Sequence, residues 1–432
     1  MESIWNRNTQ KPSFESLKGS KETDVLIIGG GIAGILCAYQ LKKAGVDCVL
    51  AEAAEICGGT TRNTTAKITL GHGLLYDKTV KRFGEEKARL YAEAQIKAAE
   101  EYERLCRNID CDYEKKDFYV YSLYDGKKVE REVMALNRIG VKAEFSRTTE
   151  LPFEIAGAVC LREQAQFHPL KFLYAIAGEL PIYENTKVIA LKPDKATTNH
   201  GEIRYKKLIV ATHFPILNKH GAYPLKLYQH RSYVLALKNA QRLNGMYTDE
   251  ADAGLSFRSC GDLLLLGGGA HRTGKKGGGW QELEDFTMKH YENAEIVRKW
   301  ATQDCMTLDG IPYIGRYARS LPNVFVAAGF HKWGMTNAMA AANILCDLVR
   351  ERENPHASVF LPSRAILRPQ LAVNVFESLA GILTPTAPRC PHLGCALKYN
   401  ADEHSWDCPC HGSRFTESGE LIDNPATDDK RM

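Results

Sequence analysis

Residues 24–52 read DVLIIGGGIAGILCAYQLKKAGVDCVLAE. Val25, Leu26, Ile27 and Ile28 make an apolar run of buried-strand length. Gly29, Gly31 and Gly34 then keep GxGxxG spacing, a helical pattern follows through Leu41, and Val46–Leu50 reads as a second strand closed by Glu52. The first glycine permits the tight turn, the second lets a pyrophosphate approach the backbone, and the third lets helix and strand pack closely. The helix N-terminus offers unpaired N–H groups to phosphate oxygens. Glu52 stands where an acid accepts hydrogen bonds from a ribose. A glycine-rich turn alone would be weak evidence, but strand, helix and acid are in register here. The stretch therefore predicts a βαβ dinucleotide-binding unit.

The chain has 432 residues, enough for two or three domains, and 44% hydrophobic residues supply an ordinary core. A formal charge of +4 gives no reason to expect nucleic acid or an anionic membrane as partner. The first twenty residues hold no apolar signal core, and no apolar run reaches spanning length. The expectation is a soluble cytoplasmic protein without a membrane span. Of thirteen cysteines, nine are scattered singly and read as small buried hydrophobes, while four cluster near the C-terminus.

After Glu52 comes AAEICGGTTRNTTAKITLGHGLLY, rich in Gly and Thr. It is either a polar surface loop or a loop wrapped round a cofactor. The βαβ unit, the closing Glu and this loop together resemble the D-amino-acid oxidase and sarcosine oxidase family of FAD enzymes. The resemblance implies that Gly58, Gly59, Thr60 and Thr61 lie along FAD. It also implies an α/β FAD-binding domain combined with an α+β antiparallel-sheet substrate domain.

Residues 77–107 read as one long amphipathic helix, 118–123 as a strand, and 133–139 and 167–177 as helices. Residues 182–212 read as strands ending in KLIVATHFP, which resembles the strand returning to the FAD domain in that family. By the resemblance Val188 touches the adenine, and Ala211 and Thr212 pass close to the cofactor. GGGAHRTGKKGGG at 267–279 lacks the spacing of a second dinucleotide site, so NAD(P)H is not implied, and it reads as a mobile lid. Arg272 within it suits a substrate carboxylate, with a solvated loop arginine as the bland alternative.

Residues 323–328 read as a buried strand, Gly329 and Gly334 bracket a tight loop, and 335–349 read as a helix. In the oxidase family such a helix directs its N-terminus at the flavin, where positive dipole stabilises negative charge on the reduced ring. Thr336 adds a hydroxyl there, and His331 and Trp333 are candidate catalytic residues facing the flavin, with packing as the alternative for Trp333. Residues 353–387 are proline-rich and read as an extended linker with a short helical piece near 373–380.

Beyond the linker stand CPHLGC at 390–395 and CPCHGS at 408–413. Cys-x-His-x-x-Cys followed by Cys-x-Cys-His resembles the two cluster-binding loops of Rieske proteins; a zinc site is the competing reading. The resemblance implies a small all-β module in which Cys390 and Cys408 ligate one iron, His392 and His411 the other, and Cys395 and Cys410 form a disulfide. Pro391 replaces the usual Thr, and no run of strands precedes the first loop.

The expected organisation is an N-terminal extension (1–22), an FAD-binding domain in three parts (23–110, 156–215, 301–352), a substrate domain in two (111–155, 216–300), the linker, and a Rieske-like module (388–432). The expected function is FAD-dependent oxidation of a small amine or amino acid, with a [2Fe-2S] cluster as one-electron relay and another protein as electron acceptor. The alternatives are a redox relay serving a protein partner, or a stand-alone amine oxidase with a vestigial tail.

Overall fold

The computed structural model describes residues 2–6, 9–385 and 388–430. Val25–Ile28 are fully buried because their strand, Gly19–Ile28, lies at the centre of a sheet covered on both faces. The sheet order is Tyr313–Ala318, Leu321–Ala328, Gly201–Val210, Gly19–Ile28, Cys48–Ala51, Ile182–Tyr183; all neighbours pair in parallel except the first two. The helix Ile32–Lys43 crosses from the central strand to Cys48–Ala51 and packs against the helix Gly334–Val349. Gly34 permits that crossing: a Cβ there would lie 1.8 Å from the Gly29 carbonyl oxygen.

A second, nine-stranded sheet forms the part expected to be the substrate domain. Its core is three long antiparallel strands in the spatial order Glu295–Thr307, Leu227–Lys238, Leu263–Arg272, continued through Ser256–Cys260 and Met246–Asp249 to Glu114–Ser122 and Gly157–Gln166. The C-terminal module adds four short antiparallel strands, Lys398–Asn400, Ser405–Asp407, Arg414–Thr416 and Leu421–Asp423.

Several expectations are corrected. The helix over 77–107 is two, Tyr76–Phe83 and Glu85–Cys106, broken at Gly84, whose φ of 85° no helix accepts. The 267–279 stretch is no lid. Gly267 and Gly268 lie within the strand Leu263–Arg272, and Gly279 opens the helix Gly279–His290, which is anchored by buried Trp280 and Leu283. Small residues are required there, since a Cβ on Gly269 would fall 2.2 Å from the Gly279 oxygen. Strands Gly157–Gln166 and Glu295–Thr307 belong to the second sheet, so the chain leaves that sheet near 167 and 308 rather than at the expected 156 and 301. The linker is largely helical, with Ala357–Phe360 and a full helix Pro369–Leu383 that starts on Pro at its first turn. That helix occupies the stretch where the Rieske resemblance would place strands.

Candidate functional site: a cofactor cavity beside a cysteine–histidine centre

A cavity of about 1100 Å³ opens between the two large sheets. Gly29, Gly31, Glu52, Gly58, Gly59, Thr60, Thr61, Val188, Ala211, Thr212, Gly329 and Gly334 all line it. The glycines leave room where a phosphate backbone would press. An added Cβ on Gly31 meets only Thr61 Oγ1, at 3.3 Å, and one on Gly334 meets nothing within 4 Å. Gly29 holds φ 108° and is pressed against the Ala211 oxygen, so the turn demands glycine. Glu52 is held by its own loop: Gly30 N donates to Oε2 at 2.6 Å and Ala54 N to Oε1 at 2.9 Å. Burial raises its pKa, against those hydrogen bonds. Ile32 N donates to Thr61 Oγ1 at 3.1 Å, and Thr60 Oγ1 donates to the Gln303 carbonyl at 2.9 Å. These residues fit an FAD pyrophosphate and ribose.

At the other end the helix Gly334–Val349 presents an uncapped N-terminus to the cavity. The preceding loop bends sharply, with His331 at φ 52° and Lys332 at φ 71°. His331 and Trp333 line the cavity as expected. Thr336 does not: its hydroxyl donates to the Thr69 carbonyl at 3.0 Å and contacts His72 Nε2 at 3.0 Å. The Thr336 expectation is corrected to a supporting role beneath the loop. His72 was not legible in sequence; it stacks on Trp333 with ring centroids 5.1 Å apart, and burial lowers its pKa to about 3, so it is neutral. Only its place in the LGHG turn could have marked it. Lys67 was missed as well. It lines the cavity with Nζ 3.2 Å from Thr65 Oγ1, and burial, then Arg258, lowers its pKa to about 7. Cys57 and Cys305 both line the cavity as buried thiols whose pKa burial pushes up.

Arg272 is absent from the cavity wall, and the carboxylate-clamp expectation is corrected. Its Nε donates to the Pro409 carbonyl at 3.0 Å, Nη1 to Asn374 Oδ1 at 2.9 Å and Nη2 to the Cys410 carbonyl at 3.0 Å. It is thus spent on holding the second cysteine–histidine loop. Arg231 makes the same kind of join, pairing with Glu403, which Arg414 also meets at 2.9 Å. Burial would raise the Glu403 pKa, but the two guanidinium groups outweigh it and hold the carboxyl below its ordinary value.

The cysteine–histidine loops meet, as the resemblance implies. The Cys390 and Cys408 side chains face each other; that contact, and then burial, pushes the Cys390 thiol up, while the Cys408 thiol is lowered. The His392 and His411 rings lie 5.0 Å apart, nearly perpendicular. His392 Nε2 contacts Asn218 Oδ1 at 2.9 Å, and His411 bonds the Pro224 carbonyl. Nε2–H is thereby the donor on His392, leaving Nδ1 as a lone pair. Both Nδ1 atoms are buried and without a hydrogen-bond partner. Burial lowers these imidazoles to about 3 and 4 respectively, so both are neutral ligands. Two orphaned imidazole nitrogens beside a cysteine pair fit a Rieske [2Fe-2S] cluster, with Cys390, His392, Cys408 and His411 as the set that would hold it. The tightest sulfur group is a different one: Cys395, Cys408 and Cys410 lie within 4.8 Å of one another. We favour the first set, because the orphaned histidines have no other use. Cys395 and Cys410 are not bonded to each other, against the expected disulfide, although their sulfurs lie within 4.8 Å.

The two sites share a wall. Leu421–Asn424, Ala426 and Thr427 of the C-terminal module line the cavity. Asn424 Nδ2 donates to the Thr212 carbonyl, Gln229 Nε2 to the Asn424 carbonyl at 2.9 Å, and Gln303 Nε2 to the Gly412 carbonyl at 2.9 Å. Phe214, two residues past Thr212, sets its ring edge-on to both histidines, at 6.1 Å from His392 and 6.4 Å from His411.

Comparison with known proteins agrees with this geometry. The FAD dependent oxidoreductase family matches residues 24–348, and the Rieske [2Fe-2S] domain matches residues 363–431. The Rieske 2Fe-2S iron-sulfur protein YhfW of Bacillus subtilis is 34% identical, over 98% of this chain and 96% of its own. The gamma-glutamylputrescine oxidoreductase of Escherichia coli is 24% identical, over 78% of this chain and 86% of its own. The crystal structure of glycine oxidase from Geobacillus kaustophilus superposes with a TM-score of 0.68 at 19% identity, over 80% of this chain and 100% of that one.

Proposed function

Because the chain belongs to the FAD dependent oxidoreductase family and ends in a Rieske [2Fe-2S] domain, we propose that it oxidises a small amine or amino acid at FAD and hands the electrons singly to the cluster. The observation that carries the relay is Phe214, which bridges the cavity-lining turn at Thr212 and both cluster histidines. When bound, FAD supplies a hydride acceptor and the cluster a one-electron carrier. The chain's own residues do the rest. Gly29, Gly31, Glu52 and the Thr60–Thr61 turn hold the dinucleotide, and the uncapped helix at Gly334 favours negative charge at the ring end. His331, Trp333 and neutral His72 wall the reacting end, and the module's tail excludes water from one side. Lys67 exchanges charge near neutral pH and is the group we assign to proton traffic in the cavity. The substrate class is supported by the named activities of the glycine oxidase and gamma-glutamylputrescine oxidoreductase above, and a cytoplasmic site remains the sequence-based expectation.

The test is anaerobic mixing of the holoprotein with a panel of amino acids and amines. Flavin absorbance should bleach with one class, and the cluster's EPR signal should then grow. A flavin that no amine reduces removes the oxidative reading. A reduced flavin beside a cluster that stays oxidised removes the relay.

A further inference from the structure

The helix Pro369–Leu383 is inside out. Its polar residues face the protein: Asn374 is buried and donates to the Leu225 carbonyl at 3.1 Å, and Glu377 pairs with Lys275 at 2.6 Å. Gly381 is buried against the cluster loops, where a Cβ would lie 2.4 Å from Cys410 Sγ. Its apolar residues face outward. Phe376 is 69% exposed and Leu383 76%, with Val375, Leu379 and Ile382 beside them and Leu367, 82% exposed, just before the helix. Leu393, between His392 and Cys395 in the first loop, extends the same exposed character. A helix that buries its amides and exposes its hydrocarbon is destabilised in water unless something covers it.

The rim says what covers it. Arg82 and Arg368 sit by the Phe83 ring at the N-terminal end, and Arg389 closes the C-terminal end, donating to the carbonyls of Gly381, Ile382 and Gly394. The one carboxylate of the helix, Glu377, is turned inward to Lys275. An apolar strip edged by arginine matches acyl chains bordered by anionic headgroups. A second copy fits poorly, because a two-fold contact would set arginine against arginine. Among the described residues no helix is long and apolar enough to cross a membrane, so the contact is with one surface only. We propose that the helix Pro369–Leu383 docks this protein on an anionic lipid surface. His392 and His411 are capped by Asn218, Pro224 and Phe214, whereas Cys395 and Cys410, the two loop cysteines outside the ligand set, lie directly under the helix.

The experiment is sedimentation of holoprotein with phosphatidylcholine vesicles and with mixed phosphatidylcholine/phosphatidylglycerol vesicles. The wild type should sediment with the mixed vesicles, less so at high salt. Phe376→Gln/Leu379→Gln/Leu383→Gln should cut the bound fraction about tenfold while leaving dye-linked turnover intact, since these side chains touch no cofactor. In Phe376→Trp, the new indole's emission should shift to the blue on vesicle addition. Absence of binding to the mixed vesicles overturns the proposal. So does binding that leaves the emission of that indole unmoved, or a concentration-dependent dimer that the triple variant abolishes. These readouts need no substrate, so binding by a protein that no amine reduces keeps the docking surface and removes only the oxidative function.

Discussion

Asn218 belongs to the FAD-binding body, yet it accepts the Nε2–H of His392, the proposed cluster ligand, with a separation of 2.9 Å. Its replacement tests whether the two modules are electronically joined. Oxidation of the cluster makes the ligand N–H more acidic, so an acceptor there stabilises the oxidised form more than the reduced. Deleting the acceptor in Asn218→Ala should therefore raise the cluster potential. A neutral hydrogen bond contributes about 1 kcal/mol, and about 59 mV corresponds to tenfold in a one-electron equilibrium, so the rise has a ceiling of about 40 mV. Asn218→Asp puts a carboxylate on the same N–H, a stronger bond to the oxidised state, and should lower the potential. The assay is potentiometric titration of the holoprotein followed by EPR, with the rate of flavin reduction as a control that should not move. Shifts of the same sign in both variants, or below about 10 mV in each, would refute the reasoning.

Glu52→Ala should weaken FAD binding by about 1.5–3 kcal/mol, seen as faster flavin loss on dilution, because it frees Gly30 N and Ala54 N as well as the ribose contact. Arg272→Lys should impair amines and amino acids equally and should increase hydrogen exchange around Pro409–Cys410; a selective loss with carboxylate substrates would restore the clamp. Glu132 accepts from Tyr76 N and Asp77 N, and burial pushes its carboxyl from 4.5 up to about 7. A raised carboxyl pKa means the folded state binds the proton more tightly, so stability is lost as pH rises from about 4.5 through 7, by up to about 3 kcal/mol. Denaturant unfolding at pH 5 and pH 8 should show that loss in wild type and less of it in Glu132→Gln; an equal difference in both would exclude Glu132 as its source.

What the sequence disclosed was local. Gly29, Gly31 and Gly34 carry their geometry in their spacing, and the two cysteine–histidine loops carry theirs in residue type and order. The helix Pro369–Leu383 was read as a linker because its flanks are rich in proline and its apolar face, pointing outward, gave no sign of a core. Arg272 was read by its glycine-rich neighbours, whereas its partners Asn374, Pro409 and Cys410 lie more than a hundred residues away. The joins from Asn218 to His392 and from Phe214 to both histidines span similar gaps. No periodicity reports a contact between two modules that are each complete in pattern.

The shared wall between the sites has a consequence for heredity. Since Leu421–Asn424, Ala426 and Thr427 form part of the cavity lining, the C-terminal module cannot be lost by truncation without opening the cavity to solvent. A nonsense mutation between the FAD-binding body and the first cysteine–histidine loop would thus remove that centre and open the cavity at once. Selection acting on the oxidative half alone would keep the C-terminal strands in place, even in a lineage whose cluster had stopped carrying current.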